Sequence, residues 1–585
     1  MNFRSLLLLN VFIILFLSAR SAWFSNQPVQ VVQPDGSIVR CFASGDEYYN
    51  WLHDKEGFTI IQSADGYYYY GFVSGNIIKA SSWKVNETDP SSVGLEKWAK
   101  ISGKEYEKRK QLFNSSPGMT ALTPHSGALN NLVVFIRFSD DSEFVDDRQF
   151  FDSKFNTQPG ISLKSYYDEV SYNQLLIDAT YYPACLMNSN LSYQDTHPRS
   201  YFQPYNTTTN QNGYVDNNDR TLREHALLRD AINWINIHSP VPSNLNIDID
   251  ADGFVDNVSF IIRGSNTGWS SLLWSHSWSL FSYNVFINGK LVSRYTFQPE
   301  TQTDVGTICH EMFHSLGAPD LYHYVNTSLQ PVQSWDLMDQ GFGHMGAYMK
   351  WKYSNHTWID SIPLITSSGT YYLNPLASPA GNCYKVISPY TNSDFYVLEY
   401  RQQAGLYESN LPGTGLLVYR ITPLYTGNSY GPPDEVYIYR PDGTNSMNGN
   451  PSSACFSSQT GRISIKDTTN PSGFLENGLP GGLMISDISY ADSIISFTIT
   501  ISNTSAPTGF TATATNTSQI ELGWIKDQDS DHVLLAYSLK PMACNPEMEV
   551  AYNIGDTIPG GGIVIYEGAA SNFVQSGLNP STRYY

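Results

Sequence analysis

The sequence predicts an α+β domain, then an all-β domain, then a β-sandwich left incomplete where the chain stops. Three observations carry this expectation. Residues 306–322 read Gly-Thr-Ile-Cys-His-Glu-Met-Phe-His-Ser-Leu-Gly-Ala-Pro-Asp-Leu-Tyr, a helical segment that follows strand-like runs and an earlier amphipathic stretch. From about residue 361 helical periodicity disappears and short alternating strands take over. A small-residue linker over 502–508 then sets off a last strand-rich stretch.

Composition bounds the reading. A chain of 585 residues has room for about three to five domains. With 41% hydrophobic and 15% charged residues it is a folded chain, and its 40 tyrosines suit strand-rich modules. A formal charge of -20 argues against a nucleic-acid partner, because phosphates need a basic surface. Residues 1–21 place Arg4 before an apolar run over 6–17 and end in Ser18-Ala19-Arg20-Ser21, the pattern of a secretory signal peptide. That run is short for a membrane span and no other stretch approaches the length, so the protein is expected outside the cell. Six cysteines are too few for a disulfide framework. Cys309 reads as a small buried residue, and pairing of Cys383 with Cys455 stays open.

The elements follow in order. Over 22–125 short strands and Gly-Asp turns lead to a charged stretch at 100–110 and a polar segment at 115–126, which reads as exposed and cleavable. Leu132-Val-Val-Phe-Ile-Arg-Phe opens the next domain as a buried strand. Apolar Leu222, Ala226, Ile232 and Ile235 predict a helix over 221–238, with Asp216-Asn-Asn-Asp219 as its cap. A strand over 257–262 and an Asn288-Gly289 hairpin turn precede the second helix. Beyond 361, Tyr384-Lys-Val-Ile and Phe395-Tyr-Val-Leu-Glu-Tyr alternate as antiparallel strands do.

The chemistry concentrates in the second helix. His310, Glu311, His314, Gly317 and Asp320 form HExxHxxGxxD. Histidines four apart stack on one helix face and can share a metal, while Glu311 sits beside it as a candidate catalytic base. Gly317 can end the helix and turn the chain back, bringing Asp320 up as a third ligand with a fourth zinc position open. An architecture with a downstream helical glutamate as ligand is disfavoured: no glutamate lies between Glu311 and Glu399, and Glu399 sits in a strand-like run. The metzincin-like arrangement, with a methionine turn beneath the metal, finds Met338 in Trp335-Asp-Leu-Met-Asp. Asp320 stands where most metzincins carry a histidine, and His323 is the alternative third ligand. Asp248, Asp250, Asp252 and Asp256 around Gly253 make a candidate calcium loop, since clustered carboxylates repel without a cation. Ser259 in place of the closing glutamate rules out a complete EF-hand.

The stretch 306–322, the Trp335 turn and Gly346-Ala-Tyr-Met-Lys-Trp resemble the M6, immune-inhibitor-A-like, secreted metallopeptidases. Arg40-Cys-Phe-Ala-Ser-Gly-Asp and Leu52-His-Asp-Lys-Glu-Gly are similar to that family's propeptide, and the Asp248 loop and Leu273-Trp-Ser-His extend the likeness over roughly 30–425. The resemblance implies a zinc endopeptidase made as a precursor, with His310, His314 and Asp320 as ligands and Glu311 as base. Ile520-Glu-Leu-Gly-Trp and Leu578-Asn-Pro-Ser-Thr-Arg-Tyr resemble fibronectin type III, whose tyrosine corner falls on Tyr584 and whose core tryptophan falls on Trp524. The expected organisation is signal peptide 1–21, propeptide 22–125, catalytic domain 126–360, β-rich domain 361–503 and incomplete fibronectin-like domain 506–585, in a longer protein.

Cys41 and Asp46 raise the question of a latency ligand, against ordinary propeptide folding. His276 and His344 are candidates for polarising a substrate carbonyl, against structural roles. The expected partners are protein or peptide substrates, with the β modules available to a surface, a glycan or a protein. The rival function is a secreted adhesin with an inactive peptidase-like domain. Intact Glu311 argues against it, because the base serves chemistry and is not needed to hold zinc.

Overall fold

The computed structural model describes residues 24–45, 49–63, 65–106, 108, 123–265, 272–324, 326, 328–391, 393–501, 508–526, 532–540, 552–559 and 561–585. The expected signal peptide, Asp46 and Cys544 lie outside the described residues. So does most of the 115–126 segment. Among the described residues no helix is long and apolar enough to cross a membrane.

The N-terminal region folds as a six-stranded antiparallel meander, from Phe24–Val32 to Ile77–Lys84 in sequence order. Its core of Val31, Val39, Cys41, Leu52, Phe58 and Ile60 takes in one residue from far along the chain, Trp274, which is 1% exposed.

The central sheet runs His276–Ser279, Arg294–Pro299, Val258–Ile262, Gly127–Arg137, Leu175–Tyr182. The last four are mutually parallel and the first is an antiparallel edge. Parallel strands need crossovers, and helices Arg148–Phe155 and Leu163–Val170 supply the one between Gly127–Arg137 and Leu175–Tyr182. The helix expected over 221–238 forms as Asn217–His238, with the Asp216 side chain accepting from Asp219 N–H as its cap. Asn288 and Gly289 both take positive φ in the predicted hairpin turn.

Each face of this sheet buries its own core. One face packs on the long Asn217–His238 helix through Leu227, Leu228, Ala231 and Ile232. The other packs on the Val305–Ser315 helix, and its core continues through Val397, Leu417, Tyr419 and Val436 of the β-rich region. The apolar core is therefore continuous across residue 360.

The strand Phe395–Arg401 pairs antiparallel on both sides. The run expected as an antiparallel strand forms one, and all seven residues are buried. Tyr396, Leu398 and Tyr400 face the β core, while Phe395 and Val397 face the core shared with the helical domain. Cys383 and Cys455 are separate buried thiols, so the pairing left open does not form. At the C-terminal end, Thr508–Asn516, Gln519–Ile525 and Asn572–Gln575 make one sheet, and Val533–Tyr537, Gly562–Gly568 and Thr557–Ile558 another. Trp524, 6% exposed on the first sheet, has its ring 5.7 Å from Tyr566 on the second, and Asn579 N–H donates to the Tyr584 hydroxyl at 2.8 Å.

Candidate metal centre

The Val305–Ser315 helix starts at Asp304, whose carboxylate accepts from Thr307 N–H at 3.1 Å and from its hydroxyl at 2.8 Å. It ends in a two-bond turn that only a left-handed residue completes. Gly317, at φ +100°, donates to His314 O, and Ala318 donates back to Phe313 O. This turn reverses the chain within three residues and delivers Asp320 to the face that carries the histidines.

His310 Nε2 lies 3.1 Å from Asp320 Oδ1, and His314 Nε2 lies 3.3 Å from the same oxygen. The three atoms form one of two groups among the described residues that could hold an ion. His310 Nε2 and Asp320 Oδ1 are both buried, and neither makes a hydrogen bond of acceptable geometry. Two imidazole nitrogens and a carboxylate oxygen converging in this way suit zinc. Both rings are oriented from behind: His310 Nδ1 faces Leu337 O at 3.0 Å and His314 Nδ1 faces Ala318 O at 2.8 Å. Protons on the Nδ1 atoms leave Nε2 as a lone-pair donor. Burial lowers the His310 pKa, which favours the neutral, ligating form. Burial opposes ionisation of Asp320, yet the His314 and His310 rings hold its carboxyl well below the usual range. Glu311 is fully buried on the same helical turn.

The methionine-containing turn lies against this group. Leu321 N–H donates to Met338 O at 2.8 Å, and Met338 is buried in the same core as Met312 and Phe313. The β-rich region holds the turn in place. Arg401, fully buried, donates to Trp335 O at 2.8 Å and to His344 O at 3.1 Å, while Glu408 and Glu399 accept its remaining protons. Asp336 accepts from Met338 N–H and Gly346 N–H, and burial pushes its pKa up to about 7.

Several sequence candidates fall elsewhere. His323 Nε2 meets Asp434, not the histidine pair, so it is not the third ligand. His276 places its ring nitrogens on Glu224 at 2.8 Å and Trp274 O at 2.7 Å, on the opposite side of the sheet from the metal helix. His344 sits between Glu169 at 2.8 Å and Lys350 at 3.1 Å. Both histidines therefore have structural roles. The Cys41 thiol is buried in the N-terminal core, which pushes its pKa up to about 12 and removes it as a latency ligand. In the acidic loop Asp248, Asp250 and Asp256 converge as the second potential ion group. Asp252 is not part of it, and its carboxylate accepts from Phe254 N–H at 2.8 Å. Lys290 Nζ already meets Asp248 at 2.5 Å. Burial, then the neighbouring carboxylates, pushes the Asp256 pKa up to about 7.

Sequence reasoning missed Tyr324, whose hydroxyl donates to Asp320 Oδ2, and Asn428, whose N–H donates to Asp320 O at 2.9 Å. Tyr324 lies four residues beyond Asp320 and was within reach of a reading that asked what fixes the ligand. Asn428 carries no local signal.

Residues 246–349 match the family described as immune inhibitor A peptidase M6, catalytic domain. Among solved structures the chain is similar to metalloproteinase-II from Bacteroides fragilis, at 12% identity over 56% of this chain and 84% of that one. The TM-score of that match is 0.19, too low to carry an argument. No curated protein matches the chain.

Proposed function

Residues 246–349 belong to the M6 metallopeptidases, and from that premise we propose that the chain is a secreted zinc endopeptidase made as a latent precursor. The observation that carries the proposal is the convergence of His310 Nε2, His314 Nε2 and Asp320 Oδ1 beside the buried Glu311. Zinc at this position would polarise the scissile carbonyl and acidify the attacking water. Glu311 would serve as the general base for the attacking water and as the proton donor to the leaving amine. Asp320 and the two histidines hold position, their outer atoms fixed by Tyr324, Leu337 and Ala318. The metal helix, its glycine turn and the methionine turn support a metzincin-like architecture.

Latency is supported by two contacts of the N-terminal meander. It buries Trp274 in its core, and its Trp51, with Ile101 and Tyr106 from the segment after it, packs with Tyr322 and Tyr324, just beyond Asp320. Calcium between Asp248, Asp250 and Asp256 is supported by their convergence and the raised pKa of Asp256. A fibronectin type III-like end is supported by Trp524 between two sheets and by the Tyr584 hydroxyl bonded to upstream backbone. The proposal is tested by stripping the processed protein with a chelator and restoring zinc. Casein hydrolysis should disappear and return, and hydrolysis that survives complete metal removal would overturn it.

A further inference from the structure

The two oxygens of Asp320 have different neighbours. Oδ1 lies 3.1 Å and 3.3 Å from the two histidine Nε2 atoms, whereas Oδ2 accepts from the Tyr324 hydroxyl. Both ends of this arrangement are fixed. Tyr324 is 2% exposed, its N–H donates to Ser429 O at 3.0 Å, and its ring centre lies 4.8 Å from that of Tyr106. On the Asp320 side, Asn428 N–H donates to the peptide oxygen at 2.9 Å, and the Asn428 side chain donates to Leu321 O at 3.0 Å. A Cβ on Gly427 would come within 2.5 Å of Asp320 O, so the loop packs on the ligand's backbone with no slack. Neither the Asp320 peptide nor its carboxylate can rotate without breaking a buried hydrogen bond.

We infer that Tyr324 is a positioning residue that commits Asp320 to bind metal through Oδ1 alone. The inference rests on the reading of His310, His314 and Asp320 as ligands. A carboxylate can give one metal a single oxygen or both. A hydroxyl donated to Oδ2 occupies a lone pair on that oxygen and fixes the rotation of the carboxylate plane. A hydrolytic zinc site needs three protein ligands and an open position, and a second Asp320 oxygen would take that position. A histidine, the commoner third ligand in this arrangement, offers one nitrogen and needs no such restraint. Tyr324 supplies for aspartate the single-atom ligation that an imidazole has by construction.

The test is Tyr324→Phe, which keeps the ring packed against Tyr106, Tyr322 and Tyr430 and removes only the hydroxyl. Zinc affinity is read by chelator competition, and coordination by the visible absorption of cobalt-loaded protein. The wild type should show the intense bands of a four-coordinate cobalt site. The variant should bind zinc roughly 10–100-fold more weakly and show the weaker bands of a higher coordination number. Melting of the metal-free variant near the wild-type temperature certifies the fold. A folded variant with wild-type affinity and spectrum overturns the inference, as do weak, higher-coordinate bands in the wild type itself. If the wild type binds neither zinc nor cobalt, the ligand reading fails instead.

Discussion

His310 Nδ1 lies 3.0 Å from the Leu337 carbonyl oxygen, so the methionine-containing turn meets the Val305–Ser315 helix through the ring of a candidate ligand. The turn is anchored further out. Leu337 follows Trp335, whose carbonyl accepts from Arg401, and Asp336, whose carboxylate accepts from Met338 N–H and Gly346 N–H. Arg401, on a strand of the β-rich region, thus holds the turn that meets a candidate ligand.

Replacing Arg401 with methionine should destabilise the protein strongly, because Glu399 and Glu408 are left buried without their cation. Breaking a buried pair by removing one partner costs about 3–5 kcal/mol. Urea unfolding of the metal-free protein measures this. A loss below about 1 kcal/mol would mean that the network is solvated or relaxes freely.

Glu311→Ala should abolish peptide hydrolysis while zinc stays bound, since the base and ligand roles fall on different residues. Removal of a positioned general base costs at least about 10²–10⁴-fold in rate. Retention of more than a few per cent of wild-type kcat would require another base.

Full-length protein should be latent, and active protein should begin upstream of Thr123. The described end of the polar segment is anchored rather than free. Thr123 is fully buried and donates to Ser315 O, and His125 meets Leu316 O at the end of the metal helix. Cleavage is therefore expected between about residue 110 and Thr123, and N-terminal sequencing of active protein locates it. Full activity with the N-terminal meander still attached would contradict the assignment.

Calcium at constant zinc should raise the melting temperature, because binding to the native state alone stabilises by about 2.7 kcal/mol at one hundred times Kd. The rise should vanish in Asp248→Asn with Asp256→Asn, whose carboxylates are two of the three that converge. Lys290 already neutralises one of them, so calcium must displace it. A melting temperature indifferent to millimolar calcium would assign that loop to Lys290 alone.

The metal helix was legible because its information is local: two histidines four apart, a glycine where the chain must take positive φ, and an aspartate three residues on. The cap at Asp216 and the Asn288-Gly289 turn were legible for the same reason. The supports of the site were not. Asn428 meets Asp320 across more than a hundred residues, and nothing near Asn428 marks it as a ligand's neighbour. The alternation of Phe395-Tyr-Val-Leu-Glu-Tyr reads as an antiparallel strand but carries no mark of what packs on each side. Both faces are buried, one in the β core and the other in the core shared with the Val305–Ser315 helix. Trp274 gave no sign that the N-terminal meander would enclose it.

The most direct measurement is the zinc content of the purified chain and of its His310→Ala and Asp320→Ala variants, by elemental analysis after dialysis. The account predicts about one tightly held zinc in the wild type, lost from His310→Ala and much reduced in Asp320→Ala. Wild-type protein that holds no zinc, or variants that keep it undiminished, would contradict the assignment of His310, His314 and Asp320 as the metal centre.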